Sequence, residues 1–400
     1  MMSKLFNTVE SFKDEIIETL SKLVEIKALS PEWGGEGEYD KAEYLMTKLD
    51  GFEVERYDAK DERAKYGIRP NIVARLEGKN DETIWYVSHL DVVPEGNESL
   101  WNTPPFKAVI KDGKIYGRGS EDNGQAIVST LYAVKSIIKA GFKPNYSIGL
   151  AFVADEETGS KYGIQYLLKK KVFNKGDLFV VPDAGSTNGN IIEIAEKSIL
   201  WIKFKIHGIQ AHASTPKNLN AARRAMKFLL DLDEKLHSKF NLTNNLFNPP
   251  VSTFEPTKRE RNVDNINTIP GLDVSYIDCR ILPNYDLDEV INFIEDVKKF
   301  YEIRDNAKIE MEVIQKESSP MTPENSEVVK KLKAAIEKVR GIKAVVKGIG
   351  GNTCAAFFRK AGYETVVWST IDGVAHQPNE YAVIDNIMND AKVFAILPFI

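Results

Sequence analysis

Apolar residues recur along the chain with two different periods, and the prevailing period changes twice. Residues 10–24, ESFKDEIIETLSKLV, place Phe12, Ile16, Leu20, Leu23 and Val24 on one helical face with charges opposite, which predicts an amphipathic helix. A polar, Gly-rich stretch from Ser30 to Gly37 then reads as an ordered loop. Beyond it, short apolar runs alternate with helical spacing. The runs predict strands at 84–88, 148–153 and 178–181, and the spacing predicts helices over 124–140 and near 160–171. Continuous apolar strands separated by helices point to an α/β domain, its mostly parallel sheet covered by helices.

Past about residue 197 the strands alternate apolar with polar residues, as half-exposed antiparallel strands do. Ile199–Ile206 is such a strand, followed by an amphipathic helix at about 219–238. Strands at 272–282 and 308–314 then flank a helix at 286–301. This is an α+β pattern with helices on one face of a sheet. Beyond Pro320 the first rhythm returns, with a helix near 324–340, a strand at 344–347, a short helix and a strand at 365–368. The expectation is one α/β domain, residues 1–197 plus 316–400, interrupted by an α+β insert at 198–315.

Composition narrows the classes of function. With 400 residues, 43% apolar and 28% charged, the chain can bury the cores of two or three globular domains. A net charge of −5 leaves no basic excess to displace counterions from phosphates, so nucleic acid is not an expected partner. The two cysteines, Cys279 and Cys354, lie far apart without metal-knuckle spacing, which suits a reducing compartment. No run of 18 apolar residues occurs and the first helix is amphipathic rather than an export signal. The protein is therefore read as soluble and cytoplasmic, with no membrane partner.

Common catalytic signatures are absent. There is no Gly-x-Ser-x-Gly elbow, no phosphate-binding Gly-x-x-x-x-Gly-Lys-Ser/Thr and no His-Glu-x-x-His. Instead, acidic residues and histidines follow strand ends: His89-Leu90-Asp91, Asp122 after a glycine-framed turn, Asp155-Glu156-Glu157, Asp183 and His376. Ligands of open α/β sheets bind at the carboxyl ends of the strands, and this is an inventory of nitrogen and oxygen metal donors. Taken singly, a strand-end Asp or Glu reads as a cap or a solvated loop residue, and His207 and His237 read as structural. The joint occurrence at successive strand ends carries the metal reading.

The segments SHLDVVP, GRGSEDNG, DEETGS, PDAG and GVAHQPNEY, in this order from about residue 80 to 380, resemble one family. It is that of acetylornithine deacetylase, succinyl-diaminopimelate desuccinylase and glutamate carboxypeptidase, which are co-catalytic zinc hydrolases. The resemblance implies a zinc-peptidase-like mixed sheet flanked by helices, with the insert serving as a lid and dimerisation domain. It also implies two divalent metal ions, zinc by preference, with cobalt or manganese acceptable to the same donors. His89 and Asp183 would hold one ion, Glu157 and His376 the other, and Asp122 would bridge them. Asp91 would hydrogen-bond the second imidazole nitrogen of His89. Glu156 would be the general base of a metal-activated water. Asp122, Glu157, Asp183 and a hydroxide would together balance the four positive charges of two zinc ions.

In the insert, Gly208–Pro216 resembles the family's lid motif. This implies a homodimer in which His212 reaches the partner's site as an oxyanion donor. Asn267 and Arg280 match positions that contact a substrate carboxylate, although Arg280 in an alternating strand equally suits a structural ion pair. Two departures stand out: Asn123 where Lys or Met is usual, and Ala356 where a substrate-binding arginine is expected, with Arg359 three residues on.

The expected function is hydrolysis of an N-acyl group from a small amino-acid derivative, of the deacylase or desuccinylase type known in amino-acid biosynthesis. The alternatives are a dipeptidase or carboxypeptidase of the same family, or a non-catalytic metal- or ligand-binding protein. An intact Glu156 speaks against the last.

Overall fold

The computed structural model describes residues 1–217 and 219–400. They form two compact units. The first comprises Met1–Ile194, Thr322–Lys347 and Thr353–Ile400; the second comprises Ala195–Met321 and Gly348–Asn352. No helix of the described residues is long and apolar enough to cross a membrane.

An eight-stranded sheet organises the first unit. Its strand order is Glu53–Lys60, Ile68–Leu76, Tyr146–Val153, Asn80–His89, Leu178–Val181, Glu364–Val367, Ile191–Glu196 and Val345–Ile349. The four central strands, from Tyr146–Val153 to Glu364–Val367, are mutually parallel, as their apolar runs require. The flanks correct the expectation of a mostly parallel sheet. Ile68–Leu76 pairs antiparallel with both of its neighbours, and Val367 pairs antiparallel with Glu193, so the whole is mixed.

Each central strand buries both faces. On one, Trp85, Val87, Ala151, Val153, Phe179, Val181 and Val367 pack with Phe173 and Phe358. On the other, Tyr86 stacks on Phe394 of the helix Ile384–Ile396, with ring centroids 5.1 Å apart, and donates its hydroxyl to the Phe394 carbonyl. Each such fully buried large side chain contributes about 1.5–3 kcal/mol relative to exposure. Gly149 makes room for Trp85, its register partner: a Cβ there would sit 2.1 Å from the indole.

The N-terminal segment holds one helix more than expected. The apolar stripe over 10–24 lies in the helix Lys13–Glu25, with Phe12 at its N-cap, and a separate helix, Met2–Glu10, precedes it. Phe12, Ile16, Leu20, Leu23 and Val24 are all buried, so the stripe faces the core as its spacing demands.

The second unit is a four-stranded antiparallel sheet in the order Thr253–Arg259, Leu272–Ile281, Ser198–His207, Ile309–Glu317. Leu200, Ile202, Phe204 and Ile206 point into a core shared with Phe228, Leu232, Val290 and Ile294 of the helices Ala221–Lys239 and Leu287–Asp305. Trp201, Lys203 and Lys205 take the opposite face, which is the alternation read from the sequence. Asn220 and Asp286 cap the two helices by accepting the N–H groups of Arg223 and Asp288.

A buried ion network underlies the carboxyl end of the large sheet. Arg69 and Glu38, both fully buried, meet through two hydrogen bonds of 2.6 and 2.5 Å. Asp61 and Asp155 each lie 3.5 Å from the same guanidinium. Removing one partner of such a pair leaves a charge buried without compensation, at a cost of about 3–5 kcal/mol. Glu38→Ala should therefore lower the unfolding free energy of the first unit by about that amount, read by urea titration of tryptophan fluorescence. The double variant Glu38→Leu/Arg69→Met should not recover it, because Asp61 and Asp155 then lose the guanidinium they both face. A Glu38→Ala loss below about 1 kcal/mol would show that the pair is solvated.

Candidate metal centre

Parallel pairing sets the site. His89 is the last residue of its strand and pairs with Val153, after which the chain turns through Asp155, Glu156 and Glu157. Asp183 follows Leu178–Val181, two strands over from the Asp155 turn. Asp122 lies in the irregular turn Ser120–Gly124, and His376 in the loop after Glu364–Val367, with φ of 62°.

The structure brings these side chains together as two donor groups, His89–Asp122–Asp183 and Asp122–Glu157–His376. Within each group, candidate ligand atoms lie within 4.8 Å of one another. His89 Nε2 is 2.8 Å from Asp122 Oδ1 and 3.3 Å from an Asp183 oxygen. His376 Nε2 is 3.1 Å from Asp122 Oδ2 and 3.1 Å from Glu157 Oε1. Asp122 thus turns one oxygen toward each imidazole.

Donor chemistry tests whether a cation fits. His89 Nδ1 lies 3.0 Å from the Asp91 carbonyl, which can only accept, so this nitrogen carries the proton. In the neutral ring, Nε2 then presents a lone pair to two carboxylates, and three electron-rich groups facing one another call for a cation between them. Without a metal, protons take that place. Burial of His89 opposes its protonation, but hydrogen bonds to Asp122 and Asp183 outweigh burial and raise its pKa well above the usual imidazole range. Hydrogen bonds to Asp122 and Glu157 raise His376 to about 10. The donor set fits a divalent ion at either position.

Asp91 is fully buried and meets His89 through both its carbonyl and its carboxylate. The hydrogen bond to His89 comes from its main-chain carbonyl, while Oδ1 stands 3.5 Å from that nitrogen. Its carboxylate accepts the N–H groups of Glu156 and Glu157 at 3.1 and 3.0 Å. The tight turn so held sends two adjacent side chains apart. Glu157 goes to His376; burial, with repulsion from Asp122, moves its pKa up to about 7 against the pull of that histidine. Glu156 is raised well above the carboxylate range by burial and by the nearby Asp183 charge.

Four further residues within the quoted motifs shape the site in ways their residue types do not announce. Asn123 accepts the His89 N–H and donates to the Pro182 carbonyl and to Asp183, joining two strand ends. Glu380 accepts the N–H groups of Glu121 and Asp122, each at 3.0 Å, and pairs with the buried Arg118. Burial and the Asp122 charge move Glu380 up to about 7. Glu121 binds the main chain ahead of His376.

His212, Asn267 and Arg280 belong to the second unit. A short ladder sets His212 opposite Thr268, and Ala213 N donates to the Asn267 carbonyl, so these two positions are neighbours. Both are exposed. Arg280 stands at the other end of the strand Leu272–Ile281 and makes hydrogen bonds of 2.7 and 3.1 Å to Asp278, the structural pairing open from the sequence. His207 pairs with Glu310, and His237 Nδ1 donates to the Asp233 carbonyl on its own helix, with its ring beside Phe254. Ala356 is 2% exposed and faces the core, and Arg359 is buried with its guanidinium on the carbonyls of Thr365 and Glu193. Cys279 and Cys354 are both buried and not joined in a disulfide.

Comparison with known proteins agrees with this geometry. An uncharacterized metallohydrolase of Methanocaldococcus jannaschii is 46% identical over 95% of this chain and 98% of its own length. A succinyl-diaminopimelate desuccinylase of Buchnera aphidicola subsp. Cinara cedri is 27% identical over 95% of this chain and 96% of its own. Among solved structures, aminopeptidase PepT from Bacillus cereus shares the fold, with a TM-score of 0.77 at 19% identity, covering 96% of this chain and 97% of that one. Residues 85–398 match the family model described as Peptidase family M20/M25/M40. The resemblance carried by the strand-end motifs therefore holds, and the chain belongs to the M20/M25/M40 peptidase family.

Proposed function

We propose that this chain is a dinuclear metal-dependent amide hydrolase that releases an acyl group from a small N-acyl amino acid. The observation that carries the reading is Asp122, whose two oxygens face two imidazoles, each flanked by a further carboxylate. His89, Asp122 and Asp183 would hold one ion and Asp122, Glu157 and His376 the other, with zinc, cobalt or manganese suited to the donors. Such a pair supplies Lewis acidity at the scissile carbonyl and lowers the pKa of water.

The chain's own residues do the rest. Glu156 stands beside the cluster with its carboxylate outside the hydrogen bonds that tie Glu157, and burial makes it hold a proton more readily than an exposed carboxylate. It takes the proton of the attacking water and delivers it to the leaving amine. Asp91 keeps Glu156 in place through the main chain rather than acting on substrate. His212 of a second copy, in a homodimer, would donate to the oxyanion, and Asn267 and Arg280 would receive the substrate carboxylate. Arg280 must exchange Asp278 for the substrate to do so.

A dipeptidase or carboxypeptidase reading also has an observation behind it. Ala356 and Arg359 are both turned into the core, so that segment offers no guanidinium for an acyl carboxylate such as succinyl. Metal-loaded protein should be assayed for amine release from N-acetyl and N-succinyl amino acids, N-succinyl-diaminopimelate and several dipeptides. Turnover of an acyl substrate, lost by about 10²–10⁴-fold in Glu156→Gln with both metals retained, is the expected result. Turnover of dipeptides alone would transfer the protein to the peptidase reading. Full activity in Glu156→Gln would remove it as the base.

Metal uptake should release protons. His376, at about 10 without metal, and His89, also raised, are protonated at pH 7, so each ion must expel the proton of the imidazole it takes. Affinity should rise from pH 6 to 8, with about one proton released per metal. Calorimetry in buffers of different ionisation heat measures this. A pH-independent affinity would mean that these imidazoles are not ligands.

A further inference from the structure

His376 is the least supported of the clustered side chains. Its side chain is 54% exposed, it follows a run of loop, and the partners that meet its Nε2 are the Asp122 and Glu157 carboxylates. Its placement must come from the main chain before it. Gln125 and Asp390 hold that main chain at Thr370; closer to His376, among the described residues, the carboxylate that holds it is that of Glu121, itself 5% exposed. Glu121 Oε2 accepts the N–H of Asp372 at 2.9 Å, and Oε1 accepts those of Val374 at 2.6 Å and Ala375 at 3.1 Å. The next residue is His376. Within the loop, Gln377 closes onto the Gly373 carbonyl and Tyr381 donates to Asp372, so the segment moves as a piece and Glu121 ties that piece down.

The other donor group is secured by different contacts. His89 is fixed by its buried strand, the Asp91 carbonyl and Asn123, and Asp183 by Asn123. Asp122 is held through its own N–H by Glu380. None of these contacts involves the Glu121 carboxylate. We propose that Glu121 is a positioning residue that sets cation affinity at the Asp122–Glu157–His376 position and leaves the His89–Asp122–Asp183 position unaffected.

The inference rests on the dinuclear reading above, and cobalt titration separates the two. Purified, metal-stripped full-length protein is titrated with Co²⁺, following visible absorption and bound metal by equilibrium dialysis, with a thermal melt of each metal-free form. Wild type should bind two ions. Glu121→Ala should bind one with unchanged affinity and the second about 10–100-fold more weakly, the range for loss of a group that orients a ligand. Glu121→Gln, keeping one oxygen for Val374 and Ala375 but facing Asp372 N–H with an amide, should weaken the second ion less.

A purely structural tie would lower the melting temperature and weaken both positions alike, or neither, and either result overturns the proposal. If Glu121→Ala fails to fold, Glu121→Gln decides by the same split between positions. Wild type that binds a single ion would sink the dinuclear reading and this inference together. Two ions bound with wild-type affinity in Glu121→Ala would sink this inference alone.

Discussion

Carboxylates crowded at low dielectric repel one another, and everything at the carboxyl end of the large sheet answers to that repulsion. Asp91, Glu121, Asp122, Glu156, Glu157, Asp183 and Glu380 gather around two imidazoles, and most are largely out of water. The fold handles them in two ways. Asp91, Glu121 and Glu380 each receive two or three main-chain N–H groups, which disperse the charge and fix the turns that donate them. Asp122, Glu157 and Asp183 instead point oxygens at imidazoles, where a cation is the natural complement. The direction a carboxylate faces, toward backbone or toward imidazole, separates scaffold from ligand. Glu156 stands apart from both sets, which leaves it available for proton transfer.

The same constraint reaches into the core. Behind the Asp155 turn, Glu38 accepts two hydrogen bonds from the buried guanidinium of Arg69 and one from the Asp155 N–H. Lys41, also buried, is pushed down to about 8 by desolvation, while the charges of Asp91, Glu38 and Glu380 pull it back up. Two cations placed among these acids hold down the cost of gathering them, and the apolar packing of Trp85, Phe179 and Phe394 holds the strands that carry them. Burial of hydrocarbon and burial of charge are thus one problem here, since the strands that build the core end in the acidic residues.

What could be read from the sequence follows from this division. The ligand candidates were legible because parallel strands announce themselves as apolar runs, and a His, Asp or Glu after such a run stands at a known end of the sheet. Glu121 and Glu380 were not, nor was the hold of Asp91 on the Glu156–Glu157 turn, because the partners are N–H groups of segments up to some 250 residues away, and a main-chain donor leaves no trace in residue type. Strand Glu53–Lys60, at the sheet's edge, is mostly polar and shows no apolar run, and without it the antiparallel flank was invisible. Arg280 illustrates a limit of another kind: residues two apart on a strand share a face, so Asp278 was always within its reach.

The two candidate donor groups lie in the first unit, whereas His212, Asn267 and Arg280 lie in the second. The first part tolerates little change, because each acid there is balanced by a specific N–H or cation. The second part's sheet and helices hold together through Leu200, Phe204, Phe228 and Ile294, none of which depends on the exposed residues at its loop ends. Substitutions at those loop ends can alter which substrate is selected without touching the core that supports them. Ala356 is 2% exposed within the first unit, so a long cationic side chain there would have to displace its neighbours. Position 356 therefore offers no cation to a carboxylate.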